Sequence, residues 1–242
     1  MRNKQRGFTL VEIAIVLVII GLLLGGILKG QELITSARVR NIADQNSGVQ
    51  AAYYGFIDRY RQVPGDMDGA RACQAIGNSL TGCPSSGVGG NGNGMLDEGS
   101  TQGWTEASAL WAQLSAAGFI QGAYQGGATD ETSYKATTVA PINAFNGYLL
   151  LSRSNDYQDN NSSTSVRLGL VLGNQIPVNV MRELDVKVDD GNPMTGVLRV
   201  TKSTGTTYGG VSSSTADCVT TTTPIIWDIN ANEQNCNAVY LY

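Results

Sequence analysis

The chain has 242 residues, 42% hydrophobic and 15% charged, with 30 glycines, 4 cysteines and no histidine. That length holds one domain with a real core, and a formal charge of -4 gives no general electrostatic attraction to nucleic acid, which needs clustered Lys and Arg. Without histidine there is no Ser-His-Asp or Cys-His arrangement and no His-ligated metal.

The first residues, MRNKQRG, carry Arg2, Lys4 and Arg6 with no acid, a pattern that holds this end on the cytoplasmic side of a membrane. Phe8 to Leu28 follow with a single charge, Glu12. A helix of that length spans about 30 Å, enough to cross a bilayer. A secretory signal is cut after its apolar region at small residues; here Gly7 lies before it, so the apolar segment is expected to stay in the mature protein. Glu12 lies four residues past Phe8, and a carboxylate in hydrocarbon is costly unless it pairs or sits at the boundary. A charge snorkelling at the edge of a simple anchor would satisfy Glu12 alone, but it leaves the Gly7 junction and the basic leader unexplained.

The stretch KQRGFTLVE with its unbroken apolar run resembles the type IV prepilin signature, shared by pilins and type II secretion pseudopilins. The resemblance implies that a prepilin peptidase cuts between Gly7 and Phe8 and methylates the new amine of Phe8. It also implies that Glu12 meets the amino terminus of a neighbouring subunit in a filament. Lys29 stands about where the family often has a proline, so any melting of the helix would fall to Gly21, Gly25, Gly26 and Gly30.

The implied fold is α+β and pilin-like: a long N-terminal helix, transmembrane in its first half, packed on an antiparallel sheet with disulfide-tied loops. Residues 1–7 would be the leader, 8–28 the transmembrane and filament-core helix, 29–62 its amphipathic continuation and 63–242 an exported globular domain. The implied function is a structural subunit of a type IV pilus, major or minor. A pseudopilin is the alternative within the family; a non-polymerising membrane-anchored adhesin and an exported enzyme are the alternatives outside it. The implied partners are the peptidase, other pilin subunits in a homo- or hetero-polymer, the inner-membrane assembly machinery with its ATPase, and membrane lipid. The implied location is the inner membrane, single-pass with a cytoplasmic N-terminus, and then an extracellular or periplasmic filament.

Further along, Val49, Ala52, Tyr53, Phe56, Ile57 and Tyr60 recur at helical spacing and predict a face on which a domain packs, ended by Pro64 and Gly65. One helix from Phe8 to Gln62 would be roughly 80 Å long.

Residues 64–103 read as loop. The cysteines fall as two close pairs with no CxxC, which fits neither zinc nor a thioredoxin-like motif. Of three connectivities, Cys73 with Cys83 and Cys218 with Cys236 is expected in an oxidising compartment, each closure worth on the order of 3 kcal/mol in the chain-entropy model.

In EF-hand register Asn91, Asn93, Gly94 and Asp97 fall at suitable places, but Gly89 and Ser100 stand at the two ends, where carboxylates are needed. A looser calcium loop from Asn91, Asn93, Asp97 and Glu98 competes with a plain Gly-Asn turn, and some pseudopilins bind calcium. No other cofactor is expected.

A helix is predicted over 105–118, capped by Thr105 and packing through Leu110, Trp111, Leu114 and Ala117. Its sequence, with PGD at Pro64–Asp66 and VDDGNPMTG at Val188–Gly196, is similar to segments of long prepilin-like proteins. Strands are predicted over 147–153 and 165–172 with an exposed polar connection, then a helix opened by Pro177, a third strand over 197–201, and a fourth over 225–228 or 239–242. The Thr- and Ser-rich segment 203–236 resembles the exposed, variable, disulfide-bounded region of pilins. The acids Asp97 and Glu98, or Asp185, Asp189 and Asp190, read as turns and helix ends; nothing assigns them catalysis.

Overall fold

A computed structural model describes residues 9–83, 88–160 and 164–242. The chain divides into two compact units, one ending at Arg38 and one from Val39 to Tyr242. Helix α1, Leu10–Tyr60, runs through both.

In the first unit the apolar stretch of α1 is long and apolar enough to cross a membrane, and none of it is buried. In the second unit the same helix is amphipathic. Val39, Ile42, Val49, Ala52, Tyr53 and Phe56 are buried, while Ile57 and Tyr60 are partly covered. Phe56 stacks at tilted angles on Tyr60 and Phe119, with centroids 4.5 and 5.9 Å away.

The sheet has four strands, β1 Leu150–Ser154, β2 Arg167–Val171, β3 Leu198–Val200 and β4 Ala238–Leu241, in the order β1-β2-β4-β3. All its neighbours are antiparallel, Leu150 opposing Val171, Leu170 opposing Tyr240 and Leu198 opposing Tyr240. With α1 this is the α+β, pilin-like class expected of the sequence. The fourth strand comes from the C-terminal of the two candidate segments. Trp227 makes only an isolated bridge to Val219, and Ile226 beside it stays exposed.

Three sequence expectations are corrected. Segment 64–103 contains a helix, α2 Gly69–Ile76, whose first turn is capped by Asp68 accepting from the Arg71 N–H at 3.1 Å. The helix predicted from Thr105 is α3 Thr101–Ala116, and its cap is Ser100, accepting from the Gly103 N–H. It buries nearly its whole circumference rather than one face, because Ala107, Ser108, Ala109 and Ala112 let neighbours close in on every side; β1 packs against it. Lastly, the two polar segments expected to be exposed contribute core: Asp156 and Tyr157 in the β1–β2 connection, and Tyr208, Val211, Ser212 and Trp227 in 203–236.

Shorter helices complete the unit: α4 Glu131–Tyr134, α5 Val178–Val188, begun by Pro177, and α6 Gly209–Ser212. Cys73 is bonded to Cys83 and Cys218 to Cys236.

Candidate functional site

Gly7 and Phe8, expected from the sequence to be the processing junction, lie outside the described residues. Immediately after them Thr9 and Glu12 close on each other. The Thr9 backbone N–H and its hydroxyl both donate to Glu12 Oε2 at 2.8 Å, and the Glu12 N–H donates back to Thr9 Oγ1 at 3.3 Å. This is a capping box, which satisfies helix-start donors that have no carbonyl partner one turn earlier. Its T-x-x-E spacing was in the sequence, so Thr9 could have been found there. Glu12 Oε1 takes no hydrogen bond among the described residues. From Leu10 to Leu28 the large apolar side chains are between 45% and 86% exposed, a continuous surface that water does not favour.

The second candidate, the loop around Asn91, is held on α3 by side chains the sequence reading did not single out. Buried Gln113 accepts from the Gly65 N–H at 2.7 Å and donates to the carbonyls of Met67 and Val88. Glu106, also buried, accepts from the N–H groups of Asn91 and Asp97 and from the Gln102 amide. Burial pushes the Glu106 carboxyl above its ordinary range, and those three donors only partly pull it back. Asp66 accepts from the N–H groups of Asn93 and Gly94 at 3.0 and 2.8 Å. Glycine is required where the strands of loop meet: a Cβ on Gly89 would stand 2.2 Å from the Met67 carbonyl oxygen.

Within the loop Asn91 and Asn93 each donate their side-chain amide to Asp97, at 2.7 and 2.9 Å. Their oxygens accept from the N–H groups of Asn93 and Met95. Three of the four expected calcium ligands therefore meet, but they satisfy one another. A cation there would have to turn both asparagine oxygens off the backbone and displace both amides from Asp97. Glu98 is exposed and its side chain takes no hydrogen bond among the described residues. No signal local to residues 89–98 points to Asp66 or Glu106, since both reach the loop from elsewhere in the chain.

Compared with known proteins, the chain matches neither a curated protein nor a solved structure. Residues 2–28 match a family described as the prokaryotic N-terminal methylation motif. That is a structural, pilin-type motif rather than an enzyme family, and it implies processing by a peptidase and assembly with other pilin subunits. The exposed apolar helix beside it is consistent with membrane anchoring. Through residues 2–28 the chain carries the type IV prepilin signature, which supports a place among the type IV pilins and pseudopilins.

Proposed function

We propose that this protein is a structural subunit of a type IV pilus, major or minor, stored in the inner membrane and polymerised through the first part of α1. The observation that carries the reading is the prepilin signature continued by an apolar helix surface left wholly uncovered. In this reading a peptidase cuts after Gly7 and methylates Phe8, and the helix exchanges lipid for its neighbours without entering water. Among the described residues only Oε2 of Glu12 is engaged, so its carboxylate can hold Thr9 of its own chain and meet a neighbour's amino terminus.

The test has two readouts from one culture: the mass of the N-terminal peptide from membranes, and the protein content of fibres sheared from the cells. A peptide starting at methylated Phe8, with the protein abundant in sheared fibres, supports the proposal. Methylated Phe8 with no fibres at the cell surface, and secretion lost on deleting the gene, makes it a pseudopilin. An intact Met1 in cells with an active prepilin peptidase overturns filament assembly and leaves a membrane-anchored binding module.

A further inference from the structure

We propose that the turn joining α5 to β3 binds a hard divalent cation, calcium before magnesium, through Asp185, Asp189 and Asp190. One carboxylate oxygen from each lies within 4.8 Å of the others. Opposite ligands of a calcium ion stand about 4.6–5.2 Å apart, twice the usual Ca–O distance, so that spread suits one ion.

An acidic turn open to water would need no such explanation. Here Asp185 is wholly buried. Its Oδ2 accepts the indole N–H of buried Trp227 at 2.7 Å, while Oδ1 is also buried and has no hydrogen-bond partner among the described residues. The Gly191 N–H is close enough to favour the charge but does not complete a hydrogen bond to that oxygen. A buried acceptor left without a donor loses its hydration and gains nothing in return.

The turn holds the other two carboxylates beside it instead of letting them swing out. Asp189 accepts from the N–H groups of Val197 and Leu198, and Asp190 from the Asn192 N–H and the Thr195 hydroxyl. Gly196 has φ +71°, and a Cβ there would lie 1.9 Å from Asp189 Oδ2, so the carboxylate packs directly on backbone. Arg199 gives its guanidinium to Asp159 and to the Gly196 carbonyl, so its charge favours the ionised Asp190 carboxylate without an ion pair to the cluster among the described residues. The Trp227 indole and the backbone of the turn thus hold three carboxyl groups together while leaving Asp185 Oδ1 unanswered among the described residues. An all-oxygen, irregular donor set with no His or Cys is what calcium accepts.

The experiment uses the full chain in detergent, stripped with chelator, titrated with CaCl2 and separately with MgCl2, and read by calorimetry and by thermal melting. Calcium uptake with a raised melting temperature is expected. Asp190→Asn, an exposed change that leaves the core alone, should weaken uptake at least about tenfold by removing ligand charge. Asp185→Asn keeps an acceptor for Trp227 and should abolish the calcium-dependent rise in melting temperature. Asp97→Asn should change neither. No uptake by the unaltered chain overturns the proposal. Uptake lost in Asp97→Asn but kept in Asp190→Asn also overturns it, placing the ion in the loop around Asn91. An unaltered calcium response in Asp185→Asn overturns it as well, since Asp185 would then not be a ligand.

Discussion

At the scale of single residues, the buried acids divide by what reaches them. Asp156 is almost fully covered, yet its two oxygens accept from the N–H groups of Thr206, Thr207 and Tyr208 and from the hydroxyls of Thr206 and Ser212. Burial alone would raise its carboxyl; the Ser212 hydroxyl and the three backbone donors together outweigh it, and the carboxyl lies below its ordinary 3.8. The sign follows from linkage. A carboxylate that ionises more readily when folded adds stability that is present above its unfolded value and lost as pH falls through the folded one. Urea melts of the unaltered protein should therefore lose stability below pH 3.8, and Asp156→Asn should lower stability at neutral pH while flattening that acid slope. An acid slope identical in the two proteins would show that Asp156 is not the group responsible. None of this is legible locally: Asp156 sits in a run that reads as an exposed polar link, and its donors come from beyond residue 200.

At the scale of elements, what could be read and what could not follow the range of the interactions involved. The hydrophobic stripe of α1 announces itself by period, and the β-rich runs over 147–153 and 165–172, which hold β1 and β2, by composition, because burial there acts on one short segment at a time. Helix α2 hides behind glycines and cysteines although its Asp68 cap was present in the sequence. The true start of α3 is hidden by Gly103, a poor helix former. That glycine is demanded by packing instead, since a Cβ there would stand 2.9 Å from the Tyr208 hydroxyl. The same logic explains the candidate loop: Asn91, Asn93 and Asp97 are adjacent and visible, whereas Asp66 and Glu106 reach it only through the fold.

The α1 stripe carries its own prediction. Phe56→Ala removes a fully buried ring between Tyr60 and Phe119 and should cost about 3–5 kcal/mol. Thermal melting should register roughly 2–4 °C per kcal/mol for a domain of this size. A loss under about 1 kcal/mol would mean that the second half of α1 is not part of the domain core.

At the scale of the whole molecule, the question is whether Glu12 matters for its charge or for its place in a capping box. Both roles use the same carboxylate, whose Oε2 holds Thr9, so Glu12→Ala alone confounds them. Glu12→Gln separates them. Its amide oxygen can still accept from the Thr9 N–H and hydroxyl, so the helix should start at the same place, and membrane insertion, which rests on the apolar run, should be unchanged. What the glutamine lacks is the charge to answer a protonated amino terminus where no water can do so. If filaments are registered by that pairing, sheared-fibre yield falls in Glu12→Gln as far as in Glu12→Ala while membrane levels hold. If Glu12→Gln instead assembles at the normal yield and Glu12→Ala does not, capping suffices and the charge-pairing account of assembly fails.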